Sequence, residues 1–217
     1  MRFKDRADAG RRLGQALLPY AAEHPLVLAI PRGGTEVGYE VAKALHADFD
    51  LLIARKLPFP DNPESGFGAI AEDGSLYIIP YYAEILNPRL IEAIVEEQKR
   101  EIVRRIERLR GGRPVTPPEG RTVILVDDGI AMGSTMRAAL AFCRHRNAAK
   151  VVVAAPVAGP RTAAEFREIA DDVVILSTPP WFRAVAEAYE NWYDVSDEEV
   201  LEIMRKWEEE KRRFSEK

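Results

Sequence analysis

The sequence predicts an α/β fold with a doubly wound, mainly parallel sheet. Three observations carry this. Five short apolar runs, at residues 26–30, 49–55, 122–126, 151–156 and 173–177, have the near-continuous hydrophobicity of strands buried on both faces. Segments with helical apolar spacing alternate with them, the signature of βαβ units. Small-residue turns follow directly on the first and third runs, where open parallel sheets hold ligands.

The elements follow in order. Ala7, Leu13, Leu17 and Leu18 predict an amphipathic helix over residues 6–23, ended near Pro25. The strand at 26–30 leads through the turn PRGGTE to a helix over 37–45 and a second buried strand over 49–55. Residues 57–68 carry Pro58, Pro60, Pro63, Gly66 and Gly68, which excludes regular helix or central strand and predicts a binding loop or lid. A hairpin over 69–79 is expected to turn at Asp73-Gly74. Asn87-Pro88 caps a helix reaching about residue 109. Its apolar stripe is Ile91, Ile94, Val95, Ile102, Ile106 and Leu109, and Glu96/Arg100 and Glu101/Arg105 are i,i+4 pairs on a solvated face. Residues 111–120 link to the strand at 122–126, and helices over about 135–146 and 160–170 separate the last three strands. Ser196 and Glu199 form a capping box for a closing helix toward Phe214. Residues 1–217 are therefore read as one domain, with a core over about 1–178 and a small C-terminal hood and closing helix over about 179–217.

Composition excludes several classes. In 217 residues, 47% are hydrophobic and 30% charged, which is globular. Thirty-one Lys and Arg against 35 Asp and Glu give a net charge of −4, which excludes a generally basic nucleic-acid coat. The single cysteine, Cys143, excludes a disulfide framework and a multi-Cys zinc site and reads as a small buried hydrophobe. No apolar run approaches the roughly 20 residues of a membrane span, and the N-terminal MRFKDRADAGRR lacks the apolar stretch of a signal peptide. The expectation is a cytoplasmic protein with neither nucleic acid nor membrane as partner. His24, His46 and His145 are scattered and sit beside no motif.

Residues 127–135 carry the most chemistry. Asp127 and Asp128 end a hydrophobic strand; Gly129 and Gly133 permit close backbone approach; Ser134 and Thr135 add hydroxyls at the start of a helix. The amides after Gly129 and the helix N-terminus make an anion cradle. The two carboxylates suit vicinal hydroxyls or water on a metal ion. A sugar phosphate combines both features. Neither GxxxxGK[ST] nor GxGxxG after a strand is present.

Residues 123–135, VILVDDGIAMGST, resemble the 5-phosphoribosyl-1-pyrophosphate (PRPP) binding motif of type I phosphoribosyltransferases. IPRGG resembles the pyrophosphate loop of that family, and RKLPFPDNPESGFGAIAEDG the start of its flexible catalytic loop. The likeness is strongest to its "predicted phosphoribosyltransferase" group and extends to TPPWFRAVAEAY and VSDEEV near the C-terminus. The resemblance implies that Asp127 and Asp128 bind the ribose hydroxyls, directly or through water on Mg²⁺. Gly129, Ile130, Ala131, Met132, Gly133, Ser134 and Thr135 would hold the 5′-phosphate. Pro31, Arg32, Gly33 and Gly34 would hold pyrophosphate, with a cis peptide at Pro31–Arg32, and Arg55-Lys56 resembles a basic pair that touches pyrophosphate in adenine phosphoribosyltransferases. The implied reaction is Mg²⁺-dependent displacement of pyrophosphate from C1 of PRPP by a nitrogen acceptor, shielded by a loop that excludes water.

Two departures stand out. Met132 replaces a common threonine, removing one hydroxyl from the cradle. Ala131 replaces the aspartate of 6-oxopurine enzymes, which argues against that mode of base recognition. Trp181, Phe182, Tyr189 and Trp192 are aromatic candidates in the hood, and Trp181 or Phe182 is expected to line the pocket of a small-molecule acceptor. The alternative is a PRPP- or nucleotide-binding regulatory protein of the same fold without turnover. A homodimer through the 88–110 helix is a further expectation.

Overall fold

The computed structural model describes residues 1–215. Its elements are α1 (Arg6–Leu17), β1 (Leu26–Ala29), α2 (Gly34–Leu45), β2 (Asp48–Leu51), β3 (Ala54–Phe59), β4 (Asn62–Ala71), β5 (Leu76–Ile78), α3 (Pro80–Ile85), α4 (Pro88–Arg110), β6 (Thr122–Val126), α5 (Ser134–His145), β7 (Lys150–Val157), α6 (Pro160–Ile169), β8 (Asp172–Ser177) and α7 (Asp197–Ser215). Short 3₁₀ segments cover Leu18–Glu23 and Val185–Ala188.

The five apolar runs supply one parallel sheet in the order β2-β1-β6-β7-β8; β8, at its edge, is only half-buried rather than covered on both faces. Because successive side chains alternate faces, the central strands feed two cores. Val27, Ala29, Ile124, Val126, Val152 and Ala154 pack in the layer containing Leu13, Val41 and Trp207. Leu26, Leu28, Val123, Leu125, Val151 and Val153 pack in the layer containing Leu140, Phe142 and Phe166. From β1 the chain proceeds to β2 on one side, and from β6 to β7 on the other. The carboxyl ends of β1 and β6, paired through Ala29 and Val126, therefore flank the switch point of the sheet, where such folds open a crevice.

The run at 49–55 is two strands in two sheets. Leu51 is the last β2 residue and Ala54 the first of β3. Between them the backbone turns to side chains: Ile53 N–H donates to Glu72 Oε2 at 2.9 Å, and Arg110 Nη1 donates to the Leu51 carbonyl at 3.1 Å. Residues 57–68, expected as an irregular loop, are instead mostly the β3–β4 hairpin of a three-stranded antiparallel sheet. The prolines are tolerated because β3 is an edge strand whose register slips on both sides of Pro58, and Pro63 lies beyond the part of β4 that pairs with β5. The first helix stops at Leu17, where Pro19 turns the chain into the 3₁₀ segment. The half-buried to exposed α3 has no apolar period of its own, and the sequence does not predict it.

The remaining local signals hold with one exception. Gly74 adopts φ +91° in the β4–β5 turn, with Ser75 N–H and Oγ bonded to Asp73. Asn87 accepts from Arg89 N–H, and Ser196 and Glu199 form the reciprocal capping box at α7. Glu101 pairs with Arg105 as expected, whereas Glu96 pairs with Lys99. Cys143 is fully buried, which pushes its thiol up to about 12. Among the described residues no helix is long and apolar enough to cross a membrane.

Candidate active site

The loops after β1 and β6 meet at the switch point. The first is tightened by Gly34 N–H to the Ile30 carbonyl and Thr35 N–H to the Arg32 carbonyl, both 3.1 Å, and its Pro31–Arg32 peptide is cis. It lies directly on the acidic turn: a Cβ on Gly34 would stand 3.0 Å from Asp127 Cα, and one on Gly33 would collide with the Asp128 carboxylate. Only glycine allows this approach.

The turn after β6 is fixed from both sides. Ile130 N–H donates to the Val157 carbonyl, and Gly159 N–H donates back to the Ile130 carbonyl. Thr162 Oγ1 donates to the Ala131 carbonyl at 2.8 Å. Gly133, at φ +78°, turns the chain into α5. The first amides of α5 have no carbonyl partner within the helix, and they open on a cleft.

That cleft, about 430 Å³, is lined by Asp127 and residues 129–136 on one wall, by Lys56, Phe59, Glu64, Ser65, Gly66 and Gly68 of the hairpin opposite, and by Tyr82 and Val185. The expected phosphate loop and the expected catalytic loop thus face one another. Lys56 Nζ donates to the Glu64 carbonyl at 2.5 Å. Met132, which replaces the familiar threonine, is largely exposed at the cleft.

Burial, and then the neighbouring Asp128 charge, holds the Asp127 carboxyl well above the usual carboxylate range. Burial also raises Asp128, against the pull of Arg6. Arg6 Nε donates to Asp128 Oδ2 at 2.8 Å, and Tyr189 Oη donates to the Asp128 carbonyl at 2.5 Å. Two adjacent carboxylates are thus served by one guanidinium.

Of the cations expected at pyrophosphate, Lys56 lines the cleft and Arg32 and Arg55 do not. Arg32 Nη1 lies 3.7 Å from Asp197 Oδ1 at the start of α7. Arg55 is half-buried, its Nε donating to Gln98 Oε1 at 3.2 Å; burial and then the Arg105 charge lower its pKa, with Arg32 adding to the same repulsion. Arg32 and Arg105 each also face a carboxylate, Asp197 and Glu101.

The aromatic expectation fares differently. Trp181 is 86% exposed, and Phe182 packs with Phe3, Val157 and Tyr189 in the hood. Neither borders the cleft. Val185 is the hood residue that does, and the rings at the cleft are Phe59 and Tyr82, with centroids 4.9 Å apart. Sequence reasoning missed Arg6, Phe59, Tyr82 and Val185. Only Phe59 stood inside a segment marked as a loop; nothing near Arg6 marked it.

Residues 4–191 match the phosphoribosyl transferase domain family. The chain belongs to that family. It is 43% identical over 204 residues, 93% of its length, to the protein named "Putative phosphoribosyl transferase Rv0571c" of Mycobacterium tuberculosis strain H37Rv, and equally to MT0597 of strain CDC 1551, which carries the same description. It spans about half the length of these curated relatives, 46%. Among solved structures it is similar to TT1426 from Thermus thermophilus, at 40% identity and a TM-score of 0.81, covering 95% of this chain and 99% of that one.

Proposed function

We propose that the chain transfers the 5-phosphoribosyl group of PRPP to a nitrogen acceptor, a nucleobase, with release of pyrophosphate. The observation that carries this reading is the meeting of two loops at the switch point: Gly33 against Asp128, with the residue 129–136 cradle opening from the same turn. The 5′-phosphate sits on the amides of residues 129–135, with Ser134 and Thr135 supplying hydroxyls. Asp127 faces the cleft and accepts from the ribose hydroxyls together with Asp128. Pyrophosphate lies toward Arg32, Gly33 and Gly34, with Arg55 and Lys56 completing its charge compensation.

In the reaction the acceptor nitrogen forms a bond to C1 as the C1–oxygen bond breaks, the electron pair leaves with pyrophosphate, and the acceptor's N–H proton is released to solvent. Arg32, Arg55 and Lys56 stabilise that developing charge. Phe59 and Tyr82 offer the faces on which an acceptor base stacks. The hairpin carrying Lys56 excludes water, which would otherwise take the ribosyl group.

The donor set fits Mg²⁺ only in company with substrate. Among the described residues no cluster of three or more His, Cys, Asp or Glu could hold a metal, and one oxygen of Asp128 is already bonded to Arg6. Asp127 and Asp128 would hold the ion through water while PRPP supplies the remaining oxygens. When bound, Mg²⁺ neutralises charge on the leaving pyrophosphate.

The test is calorimetric titration of PRPP with and without MgCl₂, followed by a screen of nucleobases for pyrophosphate release. Mg²⁺-dependent binding and turnover on one base are expected. Binding without turnover on any base would assign a regulatory protein instead, and no binding of PRPP would overturn the reading.

A further inference from the structure

Arg6 is the first residue of α1, and its side chain is only 3% exposed although it is charged. Its surroundings are complete. Nε donates to Asp128 Oδ2 at 2.8 Å and Nη1 to the Tyr193 carbonyl at 2.9 Å. The guanidinium carbon lies 4.1 Å from the Trp192 ring centroid and 5.4 Å from that of Tyr193. Tyr189, from the same hood segment, bonds the Asp128 carbonyl. The hood therefore touches the acidic turn both directly and through Arg6.

We infer that Arg6 is a positioning residue for the ribose-binding carboxylate. The inference rests on the phosphoribosyl reading above and adds to it a residue outside every loop that the motif contains. Asp127 and Asp128 are adjacent and mostly buried, so their charges push them apart. Arg6 holds Oδ2 of Asp128, the oxygen that also faces Gly33, and so fixes the orientation of the carboxyl. The planar guanidinium can do this because Trp192 covers its face while its edge donates. Glu36 of α2 and Glu199 also lie within the electrostatic reach of Arg6, and Arg6 is the cation that hydrogen-bonds Asp128.

A merely structural Arg6 would tie the N-terminus to the hood and affect all ligands alike. A positioning Arg6 affects only ligands that reach the two carboxylates. Calorimetry with PRPP in MgCl₂ and with inorganic phosphate, which needs only the residue 129–135 cradle, separates the two. Arg6→Met is expected to weaken PRPP about tenfold or more while phosphate changes less than about twofold, and Arg6→Lys to recover part of the loss. Trp192→Leu, at a partly exposed position that need not disturb folding, is expected to weaken PRPP by roughly threefold with the same selectivity. If Arg6→Met does not fold, Trp192→Leu decides. Unchanged PRPP affinity in Arg6→Met, or in Trp192→Leu where it decides, or a parallel loss of phosphate affinity, overturns the inference alone. A wild-type protein that binds neither probe removes the phosphoribosyl reading and this inference with it.

Discussion

Gly33 lies so close to Asp128 that a Cβ built on it would stand 1.9 Å from Oδ2 and 2.6 Å from Cγ. The two loops on either side of the switch point are therefore fitted to one another through a missing side chain. Gly33→Ala must displace either the carboxylate or the loop that carries Arg32. Misplacement of about 1 Å in a reacting group costs on the order of 100-fold in rate. Gly33→Ala is expected to lower kcat/KM for PRPP by about that factor, with little change in the melting midpoint. Near-wild-type kinetics would mean that Asp128 has no part in binding.

Gly129 shows the same logic toward the hood. A Cβ there would meet Val185 Cγ1 at 2.5 Å and Cγ2 at 2.8 Å, and Val185 borders the cleft. Gly129→Ala is expected to push Val185 outward and weaken PRPP by roughly tenfold. The double variant with Val185→Ala should regain part of this, because the obstruction is to a side chain and not to backbone. Steady-state kinetics on the two singles and the double give the coupling directly. Additive effects would show that the hood is not seated against the turn.

What the sequence made legible divides along the range of the interactions. The buried strands were legible because a run such as LVLA is apolar at every position, which few alternatives satisfy. Residues 127–135 were legible because strand, acids, glycines and hydroxyls occur together within one short segment. The break between β2 and β3 was not, because Leu52 and Ile53 are as fully buried as the strand before them, and the break is made by Glu72 and Arg110 far along the chain. Arg6 was illegible for the same reason, since 122 residues separate it from Asp128. Trp181 misled because aromatic composition reveals no direction: the ring is exposed, while the smaller Val185 reaches the cleft.

The Glu72–Arg110 pair yields a stability prediction. Its side chains are 8% and 1% exposed, the Arg110 Nη2 to Glu72 Oε1 distance is 2.8 Å, and both residues also bond the backbone where the chain changes sheets. Removing one partner of such a pair leaves a buried charge alone, at a cost of about 3–5 kcal/mol. Glu72→Leu should show that loss in urea denaturation, and Glu72→Leu with Arg110→Met should lose less. A double variant as unstable as the single would place the stabilisation in the backbone bonds and not in the charge pair.

Asp127 sets function against stability. Its carboxyl is held well above the usual range by burial and by the Asp128 charge, so the folded chain binds that proton more readily than the unfolded one. The contribution to stability is then fully present below the unfolded value of about 3.9 and is lost as pH rises through the raised folded value. Above the unfolded value the folded protein is penalised for burying this group beside Asp128, and Arg6 offsets part of the penalty. Asp127→Asn removes the titrating group and keeps the shape. It is expected to raise the melting midpoint at pH 7–8 by about 2–4 °C, the shift that corresponds to roughly 1 kcal/mol in a chain of this size, with the gain shrinking toward pH 4, while PRPP turnover is lost. Scanning calorimetry across that pH range checks the sign. A variant less stable than wild type at neutral pH would show that the Asp127 carboxylate supports the fold, through its bond to the Asp128 amide, more than it strains against its neighbour.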